Sequence, residues 1–165
     1  MRNYFFATIA GLLLLSLSTA TSPAHVGPHP SVHDTVAGVI ERMKRDLSTN
    51  ELSKLTPQTV EQFLTDKERE IMANEHISFR VSVPVRVSIL RDVKLGDEPF
   101  WLRQRGFTQT GITLKEGRSV FDVWQKDFPA GAVGLGIHSF TGSGNHYLVL
   151  LSPQKPGDKV EVTQL

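Results

Sequence analysis

The sequence predicts a mainly β protein: an antiparallel β-sandwich, led in by short α-helices and an export signal. From Ile77 to Ile89 an apolar residue stands at every second position, as Ile77, Phe79, Val81, Val83, Val85, Val87 and Ile89. Successive side chains of a strand point to opposite faces, so this spacing builds one apolar face and one lined by Ser78, Arg80, Ser82, Pro84, Arg86 and Ser88. After it, the chain makes about six strand-like runs in all, separated by turn chemistry, the pattern of a sandwich. The 165 residues contain no cysteine, so one domain must be stabilised by its core rather than by disulfides.

Composition narrows the function classes. Lys and Arg number 18 against 17 Asp and Glu, a formal net charge of +1. A near-neutral chain sets up no field for nucleic acid, which is not expected as a partner. Without cysteine, thiol chemistry is excluded as well.

Residues 1–24 read as a signal peptide and its cleavage region. Arg2 gives the positive start, Phe5 to Leu17 an apolar run too short for an ordinary membrane span, and small residues follow. Cleavage after Ala20 or after Ala24 fits, and an exported location, periplasmic or extracellular, is expected. The membrane is a partner only through this segment, if it stays uncleaved.

Residues 25–75 are expected to form a helical leader. Ser31 with Asp34 is a helix start, after which Val32, Val36, Val39, Ile40, Met43 and Leu47 fall at helical spacing. Thr56-Pro57 is a cap followed by Pro at the first helical position, and Thr65 with Glu68 is a capping box. These helices are read as a structural cap or stalk, with partner docking as the functional alternative.

Residues 76–165 are the expected sandwich. Pro84 removes a ladder donor and so divides the long strand, letting it pair first with one sheet and then with the other. Asp97-Glu98-Pro99 is expected to start a short helix carrying Phe100, Trp101 and Leu102, ended by Gly106. Phe107 to Leu114 and Val120 to Trp124 read as a hairpin about Lys115-Glu116-Gly117, and Asp127 to Ala130 as a turn. Val133, Leu135 and Ile137 alternate with Ala132, Gly134 and Gly136, a strand whose bare face needs a large cover, for which Trp101 and Trp124 are candidates. His146 to Leu151 is apolar throughout and reads as a central strand; Val160 and Val162 begin a last one.

Several residues invite a chemical reading. His25, His29 and His33 are spaced by four, yet Pro28 and Pro30 forbid one continuous helix, and a tether is the plainer reading. Cleavage after Ala24 makes His25 the mature terminus, whose amine and imidazole resemble the copper chelate of secreted copper oxygenases and carriers; His138 or His146 is then needed as a further ligand. Gly144-Asn145-His146 resembles one block of the calcineurin-like metallophosphoesterases, but Tyr147 follows where an acid is usual and the companion ligand blocks are absent, so a turn entering a strand is expected. Gly131, Gly134 and Gly136 have the wrong spacing for a nucleotide loop. Trp101, Trp124 and Tyr147 are read as core aromatics, with a sugar-binding platform as the alternative. Ser119 and Ser143 lack a supported His and Asp partnership. No catalytic, cofactor-binding or metal-ligating residue is therefore assigned.

The block Phe121-Asp122-Val123-Trp124-Gln125-Lys126-Asp127-Phe128-Pro129-Ala130-Gly131, with Val133 to Ile137 and Leu150-Leu151-Ser152-Pro153, resembles the region ahead of the catalytic domain in secreted bacterial metallophosphoesterases of the purple acid phosphatase type. In that family the region is similar to a fibronectin type III or purple acid phosphatase N-terminal domain, and a sandwich of the fibronectin III or immunoglobulin kind is the expected fold. The resemblance implies a non-catalytic accessory domain, with the downstream catalytic domain of the same polypeptide as its partner and a di-metal centre there, not in these residues. The alternatives are a stand-alone exported module that binds carbohydrate or protein, and a copper protein using His25.

Overall fold

The run from Ile77 to Ile89 forms two strands, not one. In the structure, a computed structural model that describes residues 30–95, 98–140 and 147–165, β1 spans Ile77–Val81 and β2 spans Val85–Asp92, with Pro84 between them. They lie in different sheets, as a strand divided at Pro84 predicts. The apolar phase survives the division: Phe79, Val81, Val85, Val87 and Ile89 are all buried in one core.

The other strands are β3 (Thr108–Glu116), β4 (Ser119–Phe128), β5 (Gly131–Leu135), β6 (Leu148–Pro153) and β7 (Val162–Gln164). A three-stranded sheet has the order β5-β1-β7 and a four-stranded sheet the order β3-β4-β2-β6; every pairing is antiparallel. Val133 and Leu135 from one sheet and Trp124 and Phe128 from the other join the same buried cluster, the packing of a β-sandwich. β1 and β2 are central in their sheets, whereas the first strand of a constant-type immunoglobulin sandwich lies at an edge.

Several strand expectations need correction. The apolar run His146 to Leu151 predicts a central strand, but β6 starts at Leu148 and lies at an edge; His146 is outside the described residues. Apolar content on both faces suggests burial between neighbours, but it does not supply the second neighbour. The expected turn from Asp127 begins later, because Asp127 and Phe128 still pair with Arg86 and Val85. Ile137 lies beyond the end of β5, and the last strand starts at Val162. The β3–β4 hairpin closes through Gly117 and Arg118, with Gly117 at φ 55°, where glycine suits the first central position of the turn.

The leader forms α1 (Val32–Asp46), α2 (Thr49–Leu52), α3 (Pro57–Phe63) and α4 (Asp66–Asn74). The predicted starts hold. Ser31, Thr56 and Thr65 each accept a backbone N–H at the N-terminus, an interaction of about 1 kcal/mol per cap. The helices have their own apolar cluster, with Val39, Met43, Leu64 and Met72 closing on Ile137 from the sheet side. The short helix α5 (Trp101–Gln104) starts later than expected, with Phe100 as an N-cap that makes no side-chain bond; Asp97 lies outside the described residues. Gly106, at φ 78°, ends it as predicted.

Candidate functional site

Polar groups gather where the helices meet the sheets, and two glycines make that meeting close. A Cβ on Gly134 would fall 2.2 Å from the Asn74 carbonyl oxygen, and one on Gly136 would fall 2.4 Å from Trp101 Cδ1 and 2.7 Å from the Met72 oxygen. The bare face of β5 is therefore covered by the C-terminal turn of α4 and by Trp101. Trp124, the other expected cover, sits in the core beside Ile89 in register.

Polar bonds fix the junction. Trp101 Nε1 donates to the Ile137 oxygen at 2.8 Å, and the Tyr147 hydroxyl donates to the Gly136 oxygen at 2.6 Å. Arg105 donates to the carbonyls of Ala73, at the end of α4, and Gly134, on β5. Lys126 donates in turn to the Arg105 carbonyl and lies 5.0 Å from the centre of the Phe128 ring. Burial pushes the Arg105 guanidinium below its ordinary pKa, with the Tyr147 phenol acting weakly the other way. Burial, then the neighbouring Arg105 charge, lowers Lys126. Burial raises Tyr147, so its phenol stays protonated.

Beside this junction a small cleft of about 40 Å³ is lined by Gln58, Glu61, Glu98, Phe100, His138 and Phe140, among others. A water needs roughly 10–15 Å³ of such space, so the cleft has room for a few waters. Its carboxylates are already engaged. Glu61 accepts from Arg69 and from Gln104, each at 3.0 Å, and Glu98 accepts from Arg103 at 2.9 Å. Phe100 and Phe140 stack at 5.4 Å over its rim.

A wider cleft of about 280 Å³ runs between α1 and α4, lined by Asp34, Thr35, Gly38, Thr65 and Glu68 among others. Its acids are also committed. Asp34 accepts from Ser31 Oγ at 2.7 Å, and Glu68 takes both Arg42 nitrogens at 2.6 Å. Arg42, against the pull of partial burial, holds the Glu68 carboxyl down at about 2. Within the sandwich, Arg91 and Asp122 face each other across β2 and β4 and pair at 2.6 Å, with side chains 11% and 8% exposed.

The sequence candidates are dispersed rather than assembled. His25, His29, Ser143, Gly144, Asn145 and His146 lie outside the described residues. His33 is exposed in the first turn of α1, and His138 is buried after β5. Trp101 and Trp124 are 0% and 1% exposed, and Tyr147 is buried too, so the sugar platform is overturned: these aromatics are the core. Gly131 and Gly134 are in β5, as the rejection of a nucleotide loop requires. Among the described residues no group of three or more His, Cys, Asp and Glu is placed to hold a metal ion.

Sequence reasoning missed Arg105 and Lys126. A signal existed for Lys126: Asp122, Trp124, Lys126 and Phe128 share one face of β4, and Trp124 and Phe128 mark it as the core face. No protein-family model matches the chain, and no curated protein and no solved structure is significantly similar to it.

Proposed function

We propose that this chain is the non-catalytic N-terminal accessory domain of a secreted metallophosphoesterase of the purple acid phosphatase type, which orients or shields a catalytic domain carried beyond Leu165 of the same polypeptide. One observation carries the reading: several buried and partly buried ionic groups are engaged in bracing the fold. Glu68 is clamped by Arg42, Glu61 by Arg69 and Asp122 by Arg91, while Arg105 and Lys126 bind backbone carbonyls. Groups held this way give a stiff frame, which is what positioning a neighbouring domain requires.

Kinship with fibronectin type III or immunoglobulin sandwiches belongs to the same proposal. It is supported by two antiparallel sheets around one core and by a first strand divided between them; the central placing of β1 and β2 is the departure it has to accommodate.

The gene decides the matter. Its reading frame past Leu165 should encode Asp-x-His, Gly-Asn-His followed by an acid, and Gly-His-x-His blocks, and the full product should hydrolyse p-nitrophenyl phosphate with a divalent metal while residues 1–165 alone do not. A natural stop codon directly after Leu165, or turnover by residues 1–165 alone, refutes the proposal.

A further inference from the structure

The edges of the two sheets are treated unequally. In the three-stranded sheet, Arg105 bonds the Gly134 carbonyl of β5, whose face α4 packs, and β7 is three residues long. In the four-stranded sheet, β3 carries an irregularity between Gln109 and Thr113, with Gly111 at φ 74°, and ends in Lys115 and Glu116. Short strands, bulges and charges are the devices that keep an edge from pairing with another chain. β6 has less of them. Leu148 to Leu151 carry no charge, β6 pairs in regular register with β2, and Leu148 is 47% exposed.

The sequence of β6 is that of a central strand, apolar on both faces, while its place is an edge. We infer that β6 is a pairing edge for a second copy of this chain, joining two four-stranded sheets antiparallel through β6 into one continuous sheet. The backbone permits it. Gln154 donates its N–H to the Pro84 oxygen in the same register as the β2–β6 ladder, so even-numbered residues of β6 bond to β2. The amides of Val149 and Leu151 therefore point away from β2.

A two-fold axis at Leu150 places Val149 opposite Leu151 of the copy, and each such pair then exchanges both backbone hydrogen bonds. Leu148 lies opposite Ser152 of the copy, and Leu150 meets its own counterpart. Every pair keeps core face to core face and outer face to outer face, and no charge opposes another. Pro153 also points outward but lacks an N–H, so it ends the ladder at both extremities.

Light scattering on the purified protein should give twice the chain mass at high concentration and the single mass on dilution, as mass action requires. Leu150→Lys and Leu150→Glu should each be monomeric with unchanged circular dichroism, and their equimolar mixture should restore the dimer. If either variant does not fold, hydrogen exchange of the unsubstituted protein decides: the Val149 and Leu151 amides should slow with rising concentration, while the Leu150 amide, bonded to β2, should not change. A single mass throughout, a dimer that survives Leu150→Lys, or protection of Val149 and Leu151 independent of concentration overturns the inference, the last because it means a strand of another origin already holds that edge.

Discussion

Replacing Glu68 by Gln tests the reasoning that charge, beyond shape, joins α1 to α4. Glu68 sits at the third position of α4, returns a bond to the Thr65 N–H at 2.9 Å, and receives both Arg42 nitrogens from α1. Gln is nearly isosteric and can keep the capping contact, so the substitution isolates the charge. Its carboxyl is lowered from an ordinary 4.5 to about 2, chiefly by the Arg42 hydrogen bonds. At about 1.4 kcal/mol per unit that sets a ceiling of roughly 3 kcal/mol. The side chains are still 26% and 18% exposed, and solvent screening brings the expected loss at pH 7 to about 1.5 kcal/mol. The sign follows from the depressed folded value: the contribution is fully present above 4.5 and is lost as pH falls towards 2. Urea unfolding of both proteins from pH 7 down to 2 measures it. The difference in stability should shrink steadily below pH 4.5 and close near pH 2. A difference that stays constant across that window refutes the electrostatic account, and no difference at pH 7 refutes the clamp.

Gly136→Ala should destabilise by about 2–3 kcal/mol, since its Cβ meets the buried Trp101 ring and the Met72 carbonyl, neither free to retreat; an unchanged thermal midpoint would mean that α4 and Trp101 lie farther from β5. Asp122→Ala should cost about 3 kcal/mol in denaturant unfolding, because it removes one member of an ion pair whose side chains are 11% and 8% exposed. The double change Arg91→Met with Asp122→Leu should regain most of that loss, and a double variant as unstable as Asp122→Ala would show that the pair's charge was not the cause.

What was legible in the sequence was local. Thr56-Pro57 and Thr65 with Glu68 carry their start signals within four residues, and both helices begin there. Ser48 with Glu51 bears the same signature and caps α2, which passed unread because only four residues follow before the helix ends. Pro84 was legible because a missing donor is a property of one residue. Strand neighbours are not local. Nothing between His146 and Leu151 says how many strands flank it, and nothing around Arg105 says that its guanidinium reaches carbonyls on α4 and β5. The buried aromatics were ambiguous for the same reason, since Trp101 packs against Gly136 and bonds Ile137, residues just after β5 that only the fold brings near.

The helical leader is therefore a layer of the fold over β5 rather than a stalk ahead of it. Backbone meets backbone at Gly134 and Asn74, where a stalk would need no glycine. The carbonyls at the C-terminal end of α4, the negative end of its dipole, face the Arg105 cation, which stays charged even when burial opposes it. Lys126, projecting from the core face of β4, bonds the Arg105 carbonyl and so ties that contact to the other sheet. One chain of bonds thus runs from α4 through Arg105 to β4. Among the described residues these contacts occupy the bare face of β5, whereas β6 forms one edge of the four-stranded sheet with Leu148 exposed.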